Sequence, residues 1–535
     1  TPRRVFRSLG LGRGWGCVIA AGSGAVLWQS ILPGFLPTQR WLGGKGQRIL
    51  SVSLVDAAEY GLAGSDFLIA CIDAALEDGT VQRYLLPLTI AWETKTFDPL
   101  AQLQPYTLAR VRLAARVGAL HDAMASPPFA QALVRGIRRG LKIPTRNGGR
   151  VVFRPSKALA EMPAIDEPPV ERLGGEQSNT SVLIGADMIL KALRRLQPGI
   201  HPEVEIGRFL TEVAGFGNTP PLLGSVEMTD ARGEPTAIAV LQGFVRNQGD
   251  GWSFTLDYLD RVLGQLEMVP TSIEVDEEDL HAMFRGLSQT LGTRIGELHR
   301  AFALAVDDPA FRPEPVTESD VATWKSLIYR QAAQAQAALR RVSEAGALGA
   351  DARFDVETVL GRWAEIDQTI ESALPAVPQV EKTRLHGDLH LGQVVVVRDD
   401  FHILDFEGEP LRSMDERRAK QSPLRDVAGM LRSFNYAAKT ALQQRGDHRP
   451  EMQRQLARAI DEWERQMIGA FLESYRAATA GCPSVPADDA TFRRLLHLFL
   501  LEKALYEICY EAANRPDWIA IPLSGVLRLL SQRAP

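Results

Sequence analysis

An apolar strand pair stands alone inside a long helical stretch. GQVVVVRDD (392–400) and FHILDFEG (401–408) are rich in β-branched and aromatic residues and meet at the turn residues Asp399-Asp400. Around them the apolar period is helical. Leu291, Ile295, Leu298 and Phe302 share one face of a 285–304 segment, and long amphipathic patterns recur at 319–345, 351–373, 423–445, 451–478 and 489–514. Residues 246–535 therefore read as a helical region holding one embedded hairpin.

The preceding residues follow a different period. VSLVDAAEY (52–60), DFLIACIDAAL (66–76) and QRYLLPLTIAW (82–92) predict an antiparallel meander with a turn at Asp78-Gly79. Helical patterns follow near 109–124 and 129–138. A second strand-rich unit contains VVFRPS (151–156), SVLIG (181–185) and MILKAL (188–193), then a helix at 202–214, then LLGSVEM (222–228) and TAIAVLQGFV (236–245). The stretches 156–170 and 480–488 read as loops, and CVIAAGSGAVLW (17–28) as two short strands around Gly22-Ser23-Gly24. A β-rich lobe, a connecting strand and a helical lobe with one hairpin make an α+β, bilobal architecture of the kinase-like type. The expected divisions are an N-terminal extension (1–30), a first domain (31–130), a β-rich nucleotide lobe (131–245) and a helical catalytic lobe (246–535).

At 535 residues the chain is too long for one compact core, and 45% hydrophobic residues supply material for several. A net charge of −5 argues against a non-specific nucleic-acid binder but leaves room for a nucleotide site. Cys17, Cys71, Cys482 and Cys509 show neither CxxC nor zinc-ligand spacing, which fits a reducing, cytoplasmic setting. Residues 14–39 are uncharged and follow Arg3, Arg4, Arg7 and Arg13, a superficial likeness to a secretory signal. Glycines 14, 16, 22 and 24 interrupt that run, and Pro33 and Pro37 end it. No run of about 20 apolar residues predicts a membrane span.

The chemistry concentrates in HGDLHLGQVVVV (386–397) followed by ILDFEGEP (403–410). Phosphoryl transfer from ATP needs a carboxylate at the acceptor hydroxyl and hard oxygen ligands for Mg²⁺. Asp388 fits the first role. Gln393, five residues on, and Asp405, returned by the hairpin, fit the second. His386 reads as a loop-fixing residue, whereas His390 reads equally as an acceptor contact or as loop packing.

The nucleotide side is expected upstream. Gly174 and Gly175 permit a tight turn, and Ser178, Asn179, Thr180 and Ser181 offer backbone N–H groups and polar side chains to phosphates. Lys191, on the next strand, is the candidate phosphate contact, with Glu205 on the following helix as its partner and Glu203 as the competing choice. LQGFV (241–245), with Gln242 and Phe244, is the candidate adenine-side hinge.

At this point the chain resembles the bacterial maltokinases, including those fused to trehalose synthase. The shared runs are QRWLGGKG (39–46), GGEQSNTSV (174–182), LHGDLHLGQV (385–394), LDFEGEPLRSMDERRAKQSPLRDVAGMLRSFNYAA (404–438) and EKALYEICYEAANRPDWIAIPL (502–523). The resemblance implies an aminoglycoside-phosphotransferase-like fold in which 31–130 is an N-terminal cap and Mg·ATP lies between the lobes. It implies phosphorylation of maltose to maltose 1-phosphate for α-glucan and trehalose metabolism, with Asp388 as base and Gln393 and Asp405 holding Mg²⁺. It places the acceptor near the C-terminal helices. Tyr506 and Tyr510, spaced i, i+4, offer faces and hydroxyls to a sugar, and Asp517 and Trp518 follow after Pro516. Arg417, Arg418 and Lys420 read as a solvated charged face. Three departures stand out: residues 1–30 have no counterpart, Leu42 replaces a usual aromatic, and Asn435 stands where aspartate is common.

Two alternatives stay open. Glucosamine kinases resemble the same scaffold, and Glu407, Glu409 and Asp517 are available for an amine. A non-catalytic partner docking on trehalose synthase, through the cap, is the alternative of another class.

Overall fold

The computed structural model describes residues 7–10, 15–19, 23–43, 46–62, 65–174, 178–268, 280–345, 348–374, 376–410, 412–446 and 449–531. The chain forms two compact units, 1–245 and 246–535.

In the first unit, strands β1 (Ser8–Gly10), β2 (Ile49–Leu62), β3 (Ser65–Leu76), β4 (Val81–Trp92), β5 (Thr107–Leu113) and β6 (Arg116–Asp122) make one sheet in the order β1-β5-β6-β4-β3-β2. The predicted meander is β2-β3-β4. The 109–124 stretch is mostly hairpin, not helix: β5 and β6 pair antiparallel and turn at Ala114, whose φ is 52°. Cross-strand pairing on a half-buried surface outweighs the helical spacing of its apolar residues here.

Strand β3 is buried on both faces because its side chains alternate. Leu68, Ala70, Ile72 and Ala74 face Leu27, Trp28, Leu32, Phe35 and Leu36. Phe67, Ile69 and Cys71 face Phe129, Leu133 and Ile137 of the Pro127–Arg139 helix. The strands expected within 17–28 are instead short helices, Gly16–Ile19 and Ser23–Val26, continuing through Leu27–Ile31 to Leu32–Phe35; Gly22 lies outside the described residues. Leu27, Trp28, Ile31, Leu32, Phe35 and Leu36 are buried at helical spacing, so this N-terminal segment covers one sheet face rather than extending it. Leu42 lies in that same core.

The second sheet uses β7 (Lys142–Pro144), β8 (Arg150–Pro155), β9 (Val170–Arg172), β10 (Thr180–Ile184), β11 (Met188–Ala192), β12 (Leu222–Thr229) and β13 (Pro235–Gly243), ordered β7-β8-β12-β13-β11-β10-β9. Arg194, just past β11, ties the two sheets together. Its guanidinium donates to Asp122 at 2.6 Å and to Thr180 Oγ1 at 2.8 Å, with both charged side chains wholly buried. It also lies 4.8 Å over the Trp41 ring.

The second unit is mainly helical. Its hairpin pairs Val394–Val397 with Asp400–Ile403. The turn falls at Arg398-Asp399, one residue before the predicted Asp399-Asp400. Asp400 instead completes the ladder opposite Val397 and receives a forked pair from Arg294 at 2.8 and 2.9 Å. The 351–373 pattern resolves into two helices, Ala350–Gly361 and Trp363–Ser372. Asn435, on the buried face of the Leu424–Gln443 helix, donates to both Glu464 oxygens at 3.1 Å and accepts from Arg432 at 3.1 Å. An aspartate there would oppose Glu464, so the amide suits this core.

Candidate active site

The catalytic loop of the second unit is clamped from behind. Asp426, 2% exposed near the start of the Leu424–Gln443 helix, accepts the N–H of His386 at 2.8 Å and of Gly387 at 2.9 Å. Burial raises the Asp426 carboxyl, but the His299 hydrogen bond and charge, with the loop N–H groups, hold it below its ordinary value. Gly387 needs φ near 86°, a conformation that glycine adopts freely. Gly429, one turn past Asp426, lets the Leu389 carbonyl approach to where a Cβ would sit 2.5 Å away. The helix thereby seats against the loop backbone.

His386 is buried and bridges within the loop: Nε2 contacts the Leu404 carbonyl at 2.7 Å while Nδ1 accepts the Asp388 N–H at 3.3 Å. With Nδ1 accepting, Nε2 is the nitrogen that donates to the carbonyl. His390 accepts the Gly392 N–H at 3.0 Å and caps the Leu391–Gln393 turn. Burial lowers its basicity, with Asp388 opposing. His390 is not among the residues lining the cleft around Asp388.

The hairpin brings Asp405 back to that turn. Gln393 Nε2 donates to Asp405 Oδ2 at 3.1 Å. Asp405 adopts φ 64°, a left-handed conformation that costs a non-glycine residue about 1–3 kcal/mol. That strain is characteristic of functional positions. The pair offers carboxylate and amide oxygens, the hard donors that suit Mg²⁺.

Asp388, with 21% of its side chain exposed, lines a cleft together with Glu409, Arg412, Glu502, Lys503 and Tyr506. Lys503 lies on the Asp489–Asn514 helix and keeps 20% of its side chain exposed. Its ammonium sits 2.8 Å from Glu409 Oε1, 3.5 Å from Asp388 Oδ1 and 4.8 Å over the Tyr506 ring. Burial pulls the Lys503 ammonium down, yet Glu409 and Asp388 together hold it above the usual lysine value. Burial would raise Glu409, but Lys503 and Arg412 hold it at about 2. Arg412 pairs with Glu409 at 2.5 Å, and Arg425 pairs with Glu502. The sequence reading singled out none of Lys503, Arg412, Arg425 or Asp426 for the site. The available signal was a Glu-Lys pair inside the apolar run LLHLFLLEKALYE (495–507).

The expected acceptor residues separate into two groups. Tyr506 lines the cleft, and burial followed by the Glu409 charge pushes its hydroxyl up to about 12. Tyr510 is 42% exposed, and Tyr510 and Trp518 flank Arg515, whose guanidinium lies 5.5 Å and 4.7 Å over their rings. Asp517 is exposed beside them. Tyr510, Asp517, Trp518 and Glu407 are not among the residues lining the Asp388 cleft. Arg417, read as solvated, does line it and is held by the Arg412 and Pro410 carbonyls.

In the first unit the β sheet sorts its residues by parity. Val182, Leu190, Ala192 and Leu241 face the apolar core. On the alternate face Ser181 pairs with Lys191, Lys191 with Val240, and Ile189 with Gln242. Lys191 Nζ lies 3.2 Å from Glu203 Oε2, and Gln242 Nε2 donates to Glu203 Oε1 at 3.3 Å. Glu203, the competing choice, is thus a partner of Lys191. On the Pro202–Phe209 helix Glu203 is buried and Glu205 is half-buried. Thr180 and Ser181 are buried, and the Thr180 hydroxyl is taken by Arg194. Asn179 Oδ1 accepts the Arg194 N–H at 3.3 Å, and Ser178 is exposed. Gly175 lies outside the described residues. Phe244 is half-buried, with its N–H on the Asp187 carbonyl at 2.8 Å.

Residues 35–125 match the maltokinase N-terminal cap domain. The chain is 26% identical to the glucosamine kinase of Streptacidiphilus jiangxiensis over 361 residues, covering 67% of this chain and 73% of that one. It is 26% identical to the glucosamine kinase of Mycolicibacterium smegmatis over 366 residues, covering 67% and 78%. A solved glucosamine kinase superposes with a TM-score of 0.65 at 19% identity, over 97% of this chain and all of the other. A glucosamine kinase solved with glucosamine, ADP and inorganic phosphate gives 0.62 at 18% identity, over 97% and 100%. The fold is kinase-like. No helix among the described residues is long and apolar enough to cross a membrane.

Proposed function

We propose that this chain, a kinase-fold phosphotransferase carrying a maltokinase N-terminal cap domain, transfers the γ-phosphate of ATP to a neutral sugar, maltose, at its anomeric hydroxyl. Asp388 accepts the hydroxyl proton as the sugar oxygen forms its bond to phosphorus, and the bridging bond to ADP breaks. The Asp426 clamp orients the loop that carries it. Asp405 and Gln393 would hold Mg²⁺, which supplies charge neutralisation on the phosphates when bound. Lys191, set by Glu203 and Gln242, is the phosphate-side cation.

The observation that carries the neutral-acceptor reading is the Lys503 ammonium between Glu409 and Asp388. Glu409 is occupied by two cations and Glu502 by Arg425, so these cleft carboxylates are already compensated. A sugar hydroxyl fits such a site better than a second ammonium does. The cap match supports maltose within that class. The second reading is phosphorylation of glucosamine, favoured by the named activity of the curated relatives.

The test is Mg·ATP-dependent phosphorylation of maltose, glucose, trehalose and glucosamine, with product linkage read by NMR. Maltose-selective anomeric phosphorylation supports the proposal, and glucosamine-selective phosphorylation overturns its acceptor half.

A further inference from the structure

Two carboxylates and an aromatic face converging on one point are what a protein uses to bind an ammonium ion. Glu409 Oε1 at 2.8 Å, Asp388 Oδ1 at 3.5 Å and the Tyr506 ring at 4.8 Å make such a cage, and the ion inside it is the chain's own Lys503. The cage forms part of the wall of the Asp388 cleft. Three elements supply it: the loop carrying Asp388, the segment after the hairpin carrying Glu409, and the Asp489–Asn514 helix carrying both Lys503 and Tyr506. Arg412 closes the far side of Glu409 at 2.5 Å.

We infer that Lys503 is the specificity-determining residue of the acceptor site, a tethered ammonium that fills the position an amino sugar's ammonium would take and so reserves the site for uncharged sugars. This rests on the neutral-acceptor reading above and deepens it. An incoming ammonium would have to share Glu409 and Asp388 with a cation held next to both, and like charges at that spacing repel strongly in a partly desolvated site. A hydroxyl meets no such opposition. Lys503 also keeps Asp388 paired and oriented through contact with its carboxylate. Its influence on selectivity is exerted through Glu409 and Asp388.

The experiment compares kcat/KM of the full chain for glucose, maltose, glucosamine and N-acetylglucosamine with Mg·ATP, in wild type, Lys503→Met and Lys503→Arg. In Lys503→Met the glucosamine-to-glucose ratio is expected to rise roughly tenfold or more, mainly through KM for glucosamine. N-acetylglucosamine, which carries no charge, should show no such gain. Lys503→Arg, which restores a cation, should keep the wild-type preference. The double variant Lys503→Met/Glu409→Gln, which removes the carboxylate as well, should lose most of the gain. An unchanged ratio in a Lys503→Met protein that melts normally and still binds ATP overturns the inference. So does an equal gain for N-acetylglucosamine, which would make the effect one of space and not charge. Lys503→Gln, able to donate to Glu409 without a charge, serves by the same criterion where the methionine variant is unstable. The wild-type ratio judges the neutral-acceptor reading, and the change from wild type to variant judges Lys503.

Discussion

The Gly387 N–H donates to Asp426 Oδ1 at 2.9 Å, tying the residue beside Asp388 to a buried carboxylate 39 positions along the chain. The adjacent His386 N–H takes the other oxygen at 2.8 Å. Geometry at Asp388 thus depends on a carboxylate that is itself 2% exposed. Asp426→Asn replaces one acceptor with a donor facing an N–H. It should destabilise the protein by about 2–4 kcal/mol and lower kcat more than it raises KM. Urea unfolding and steady-state kinetics on the same preparation check both.

Asp388→Asn should lower turnover by about a hundred- to ten-thousandfold. The melting temperature and ATP affinity should stay near wild type, because Asp388 is partly exposed and asparagine preserves its shape. Turnover within a few-fold of wild type would remove Asp388 from the role of base.

Asp405→Asn should impair use of Mg·ATP, and raising free Mg²⁺ should restore part of the rate. Gln393→Ala should do less, because its amide contributes a neutral ligand. A titration of initial rate against Mg²⁺ at fixed ATP distinguishes a weakened metal site, which shifts the curve, from a misfolded loop, which lowers its plateau.

Glu409 has its folded carboxyl depressed to about 2, so its contribution is present above the ordinary carboxyl range and disappears as pH falls toward 2. The contribution is about 3 kcal/mol for a group this buried. Glu409→Gln should therefore be less stable than wild type at pH 7, and the gap should close between about pH 4.5 and 2. Denaturant unfolding across that window measures it; a gap independent of pH would mean the loss is one of packing.

Breaking the Asp122–Arg194 pair by Asp122→Ala strands a wholly buried guanidinium and should cost about 3–5 kcal/mol. The double variant Asp122→Ala/Arg194→Met should recover much of that, because replacing both charges removes the unpaired one. Chemical unfolding of the three proteins gives the coupling.

The sequence alone determined most strands and long helices, because alternation and 3.6-residue spacing are local properties of the chain. It also pointed to Gln393 and Asp405 as neighbours, since the hairpin that brings these two together is short enough to read from its own residues. Where two periods competed, tertiary packing decided. The described residues of the 17–28 run are helical because an apolar sheet face lies beneath them, and 109–124 is mostly a hairpin because β4 offers an edge to β6. That Lys191 meets the buried Glu203 depends on how the helix packs, which no local pattern states. The Asp426 clamp and the Lys503 cage join residues 39 and 115 positions from their catalytic-loop partners. No local pattern encodes a contact at that separation. It exists only once the helices have packed, where the low-dielectric surroundings make an unpaired charge costly and set which charges must meet.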